Sequence, residues 1–156
     1  MKFLFCQAPG LAGKLIRLFD RGVYNHVAVV VSDTEVIEAT YVHGVRKRGL
    51  GSLMRDRPIH LLVDLPMKDE NAAIAFATSK LGGKYDWKAL ASLAIRKVFN
   101  TAPHWEDKNA YFCDELVLLS AVAGGGLTIS WAGRYGVQSA LELLISNGAV
   151  VVEESK

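Results

Sequence analysis

The stretch NHVAVVVSDTEVIEAT, residues 25–40, decides the fold class. Residues 26–31 form a run dominated by valine, and residues 35–40 form a second run with Val36 and Ile37 at its centre. Such side chains fit a pleated, half-buried surface. Ser32-Asp33-Thr34 between the runs carries turn chemistry, because these short polar side chains bond to their own backbone. The two runs therefore read as a β-hairpin. With a three-residue turn, Val31 pairs with Glu35 and His26 falls opposite Thr40. Glu38 is then a diagonal neighbour of His26 on the same face, roughly 7–8 Å away at the backbone. A one-residue slip would put the two on opposite faces.

Working outward, residues 2–8 read as a short strand that stops at Pro9-Gly10, and residues 11–21 as a helix with Leu15, Ile16, Leu18 and Phe19 on its apolar face. Residues 44–50 add a strand, 51–56 a helical turn and 58–65 another strand. Residues 68–81 read as a helix ending at Gly82-Gly83, a usual stop. Further helices are expected at 87–99, 113–123 and 136–146, a polar loop at 100–109 and a closing strand at 149–153. Strands cluster early and helices late, the order of an α+β domain with an antiparallel sheet. No repeat or linker divides the chain, so residues 1–156 read as one domain.

Composition sets bounds. The chain has 156 residues, enough for a substantial core. Its formal charge of +2 and lack of a dense basic block argue against a nucleic-acid partner. Cys6 and Cys113 are the two cysteines, too few for a disulfide scaffold, and both read as thiols. The apolar run at residues 3–5 is too short for a signal peptide. Residues 116–133 are uncharged, but Gly124-Gly125-Gly126 interrupts them. They read as a buried helix that stops, not as a membrane span. The expected setting is the cytoplasm, or a phage-encoded protein.

Cys113 follows a polar loop and begins an apolar helical pattern. Unpaired N–H groups and the dipole at a helix start favour a thiolate, the nucleophilic form. A buried structural thiol is the alternative. Of the four histidines, His104 lies in the polar loop, His60 on a strand and His43 beside Gly44 in a turn. His26 opens an apolar strand that would hold its backbone, which suits an imidazole base, although a solvent-facing strand end is the plainer reading. Glu38 is the candidate orienting carboxylate, or else a surface glutamate. No Cys/His spacing fits zinc. Gly10-Leu11-Ala12-Gly13-Lys14-Leu15 lacks the spacing and hydroxyl of a phosphate loop. Trp87, Trp105 and Trp131 are assigned to packing.

Four segments resemble the circularly permuted NlpC/P60 group of papain-like cysteine hydrolases, which includes YiiX-like proteins and, more distantly, lecithin:retinol acyltransferases. Asn25-His26-Val27-Ala28-Val29-Val30 is similar to the group's (S/T)-H-V-G-I-V strand. Val36-Ile37-Glu38-Ala39-Thr40 with Gly44-Val45 is similar to its V-I-E-A…G-V segment. Gly82-Gly83-Lys84-Tyr85-Asp86-Trp87 resembles G-x-x-Y-D-(Y/W), and Phe112-Cys113-Asp114-Glu115-Leu116-Val117 resembles x-C-S-E-L-V. The pattern spans about residues 1–148. His26 precedes Cys113, the order expected of the permuted group. Asn25, Ala28 and Asp114 depart from the pattern, and Asp114 puts a carboxyl beside the thiol.

The resemblance implies a barrel-like antiparallel sheet packed against helices. It implies Cys113 as nucleophile, His26 as general base, Glu38 as third member and Tyr85 as an oxyanion or substrate contact, with no cofactor and no metal. The activity it implies is a cysteine amidase or endopeptidase acting on peptide substrates such as peptidoglycan. Two alternatives stay open: a lipid-directed acyl-ester hydrolase or acyltransferase, with the basic and apolar helix at 87–99 as interfacial element, and a non-catalytic binding domain on the same scaffold.

Overall fold

A computed structural model describes residues 1–86, 110–129 and 135–155. The helix expected at 87–99, the loop at 100–109, and His104, Trp87, Trp105 and Trp131 lie outside them. The elements are β1 (Lys2–Cys6), α1 (Leu11–Asp20), β2 (His26–Val30), β3 (Glu35–Thr40), β4 (Gly44–Gly49), α2 (Leu50–Asp56), β5 (His60–Asp64), α3 (Glu70–Ser79), β6 (Lys84–Tyr85), β7 (Ala110–Tyr111), α4 (Cys113–Ala123), α5 (Val137–Ser146) and β8 (Val150–Ser155).

Six strands form one sheet in the order β4-β3-β2-β1-β5-β8, every neighbouring pair antiparallel. The α+β class with an antiparallel sheet against helices is therefore what the chain adopts. Among the described residues the sheet implied by the resemblance to be barrel-like has β4 and β8 as its two ends. Gly82 and Gly83 exchange backbone hydrogen bonds with Val45 beside β4, and Val150, Val151 and Val152 stand exposed on β8. A two-residue parallel pairing of β6 with β7 was not foreseen, because runs this short carry no periodic signal.

Alternation along the strands divides the core into two layers. Phe3, Phe5, Val27, Val29, Ile37, Ala39 and Val63 pack with Ala73 and Ala77 of α3, Leu116 and Val117 of α4, and Val137 and Leu144 of α5. Leu4, Ala28, Val30, Val36 and Leu62 pack on the opposite face around Leu53 of α2. The strands carry apolar residues at successive positions because both faces are covered.

Helix α3 starts later than residue 68, since the Asp69 carboxylate caps it by accepting the Ala72 N–H at 3.0 Å. Helix α4 ends at Ala123, where Gly125 takes a positive φ of 67° that other residues rarely adopt. Among the described residues no helix is long and apolar enough to cross a membrane.

Candidate active site

The hairpin register is the one the three-residue turn requires. Ala28 stands opposite Glu38 and Val30 opposite Val36, and the Val31 N–H donates to Glu35 O at 3.0 Å. His26 and Glu38 share the parity of Ala28 and Val36, so they share a sheet face. The diagonal gap closes through side chains: His26 Nε2 lies 2.8 Å from Glu38 Oε2. Arg46, directly across from Glu38 on β4, donates from Nε and Nη2 to Oε1 at 3.0 and 2.8 Å. Arg57 Nη1 is 3.6 Å from Oε2 and Arg48 Nη1 is 3.9 Å from Oε1.

Burial alone would raise the Glu38 pKa, for its side chain is 0 % exposed. Hydrogen bonds from His26 and Arg46 and the charge of Arg57 outweigh burial and bring it down to about 2. Glu38 is therefore an anion, and an anion accepts. His26 Nε2 carries the proton and donates it to Glu38, which leaves the Nδ1 lone pair available to act as a base. Burial also lowers the His26 pKa, against the opposing influence of the Glu38 hydrogen bond, and keeps the imidazole neutral.

Cys113 is the first residue of α4, as the sequence indicates. It comes from the helix layer, and the backbones of Val27 and Asp114 act to lower the pKa of its thiol. Cys113, His26, Tyr85, Asn25, Thr40 and Arg57 line one cleft at the open end of β2. No hydrogen bond joins the sulfur to the imidazole. The thiolate expected at this helix start is corrected. Burial raises the Cys113 pKa and Asp114 raises it further, outweighing those backbones, so the resting group is a thiol that is 2 % exposed.

Asp114 is itself buried, its Oδ1 has no hydrogen-bond partner among the described residues, and burial raises its pKa well above the usual range. Tyr85 packs its ring on Phe112, with centroids 5.5 Å apart. Burial, and then nearby Cys113, raise the Tyr85 pKa, so its hydroxyl stays protonated. Cys6 is a second buried free thiol, opposite His26 on β1, with Arg57 Nη1 donating to its sulfur at 3.5 Å.

Asn25 builds the cleft wall. Its Oδ1 accepts the Ala8 N–H at 2.5 Å and its Nδ2 donates to Ala8 O at 3.0 Å, which pins the loop after β1. Gly13 passes so close that a Cβ there would lie 2.4 Å from both Ala8 O and Asn25 Nδ2. Gly13→Ala is therefore expected to lower stability by about 1–3 kcal/mol, read as a shift in the urea unfolding midpoint. An unchanged midpoint would show that this loop has room to move.

The chain is similar in fold to yiiX. Its structure matches the crystal structure of metalloprotein yiiX from Escherichia coli O157:H7, DUF1105, with a TM-score of 0.73 and 12% sequence identity, over 99% of this chain and 96% of that one. At this identity the likeness is one of fold. No family model and no curated protein matches the sequence.

On this yiiX-like fold the structure brings His26, Glu38, Tyr85 and Cys113 to one end of the sheet. The sequence reading missed Arg46 and Arg57. Arg46 was within reach, since continuing the alternation through Gly44-Val45 puts it across from Glu38. Arg57 follows α2 and gave no periodic signal.

Proposed function

We propose that the chain is a cysteine hydrolase of the permuted papain-like, NlpC/P60 type, in which Cys113 attacks a carbonyl carbon with His26 as general base. The observation that carries this reading is the buried His26–Glu38 pair, with Nε2 donating at 2.8 Å, in a cleft that Cys113 also lines. The pair fixes the tautomer a base needs.

Because both groups rest neutral, the step is a concerted one, not attack by a preformed thiolate–imidazolium pair. His26 Nδ1 takes the thiol proton as sulfur bonds to carbon and the carbonyl electron pair moves to oxygen. Sulfur and nitrogen must approach for this, and catalytic pairs that are misaligned without substrate tighten when it binds. Backbone N–H groups at the start of α4 would stabilise that oxyanion, with the Tyr85 hydroxyl, which lines the same cleft, as a further donor. Collapse expels an amine or alcohol, which takes the proton from His26. Water, deprotonated by His26, then cleaves the thioester and restores the thiol.

Amide bonds of peptides, including cell-wall peptides, are the substrate class we favour on the strength of the sequence resemblance. Residues 87–99, on which a lipid-directed alternative leaned, lie outside the described residues.

The metal named for yiiX does not fit this chain's cleft. Among the described residues no group of three His, Cys, Asp or Glu side chains converges as ligands would. Both Glu38 oxygens already face arginine or histidine nitrogens, and such cationic surroundings oppose a metal ion.

A panel of activated esters and peptide amides, quenched early and followed by intact mass and peptide mapping, tests the proposal. The expected result is one acyl mass added at Cys113. Hydrolysis without that adduct, or an adduct only on Cys6, would refute it. A protein that binds peptides yet never acylates would be a binding domain on this scaffold.

A further inference from the structure

We propose that Arg57 makes the cleft a receptor for a carboxylate, so that the preferred substrate carries a carboxylate close to the bond Cys113 attacks. This deepens the hydrolase reading and rests on it for the identity of the attacked bond.

The argument begins with charge. Three guanidiniums, those of Arg46, Arg48 and Arg57, surround Glu38. Arg48 has a second carboxylate in Asp56. Arg46 engages Glu38 through two donors. Two carboxylates thus face three cations, and the positive charge left over belongs to Arg57, whose distance from Glu38 exceeds a hydrogen bond.

Donor geometry points the same way. Arg57 spends only Nη1, on Cys6 sulfur at 3.5 Å and on the edge of Glu38 at 3.6 Å. Its Nε and Nη2 have no protein partner among the described residues. A guanidinium binds a carboxylate through two parallel N–H groups, and Nε with Nη2 form one such edge. The side chain is 12 % exposed and lines the same cleft as His26 and Cys113. Neither nitrogen is sealed from solvent, since among the described residues only Asp114 Oδ1 is both buried and without a hydrogen-bond partner, so both stay reachable by a ligand in the cleft. One surplus charge matches one carboxylate.

Titration of isotope-labelled protein with N-acetylalanine and with N-acetylalaninamide, followed by NMR at the amides of Ala39, Thr40 and Tyr41, tests this without using the thiol's chemistry. The acid should bind the wild-type protein at least tenfold more tightly than the amide. Arg57→Gln should erase that ratio and Arg57→Lys should keep part of it. The wild-type comparison stands alone if Arg57→Gln fails to fold. Equal binding of acid and amide, a ratio that survives Arg57→Gln, or tighter binding of dimethyl phosphate than of the acid would each overturn the proposal. Because no acylation is read, a missing Cys113 adduct would sink the hydrolase reading and leave this result standing.

Discussion

Cys113→Ala is expected to lower turnover of any amide or ester the protein hydrolyses by about 10³-fold or more, to the level that binding and oxyanion contacts alone sustain. The physical reason is that, among the described residues lining the cleft, no other side chain replaces the sulfur. His26 has one nitrogen committed to Glu38, and the Tyr85 hydroxyl is held protonated by burial. Cys6 cannot stand in, because it is fully buried and does not line the cleft that Cys113 lines. The fold should survive. Cys113 packs in the helix layer, and removing one sulfur costs about 1 kcal/mol, an amount visible as a few degrees in a melt. Steady-state rates and thermal unfolding of the same preparation check both halves. Activity that persists with normal kinetics would remove Cys113 from the chemistry.

Much of this site was legible in the sequence because it depends on local rules. The turn Ser32-Asp33-Thr34 sets the register, and the register alone puts His26 and Glu38 on one face. The polar-to-apolar change at Cys113 marks where α4 begins. What the sequence could not report is the balance of burial against dipole at the thiol. A helix start favours an anion by a modest amount, while burial at 2 % exposure and the neighbouring Asp114 act more strongly the other way. Both depend on how α4 seats against β2, which is a tertiary matter. Arg57 was hidden for the same reason: only the packing of α2 beneath the sheet carries its guanidinium to Glu38 and Cys6. The sheet order likewise reflects pairing between remote strands, for β8 closes on β5 from the far end of the chain.

Glu38→Ala is expected to be the most destabilising single change at the site. It removes the carboxylate that four nitrogen-bearing side chains share, leaving Arg57 and His26 buried without their anion. Breaking a buried pair from one side costs about 3–5 kcal/mol, and because Arg46 is 34 % exposed and regains water, about 2–4 kcal/mol is the expectation here. Glu38→Gln keeps an oxygen for the His26 N–H but not the charge, so it should fold better than Glu38→Ala and retain more activity. The pH dependence follows from the same contacts. His26 has a lowered pKa in the folded state, so the unfolded chain binds its proton first, and stability begins to fall once pH drops below 6.5. Glu38 is depressed from 4.5 to about 2, so its contribution is complete above 4.5 and lost as pH falls towards 2. That shift amounts to about 3 kcal/mol. Urea midpoints at pH 7, 5 and 3 should therefore step downward in the wild type. In Glu38→Gln the step between pH 5 and 3 should shrink, since the glutamine has no proton to take up. A wild-type midpoint that stays level from pH 7 to 3 would mean that Glu38 is not the buried anion holding His26 in place, and the tautomer on which the base chemistry depends would lose its support.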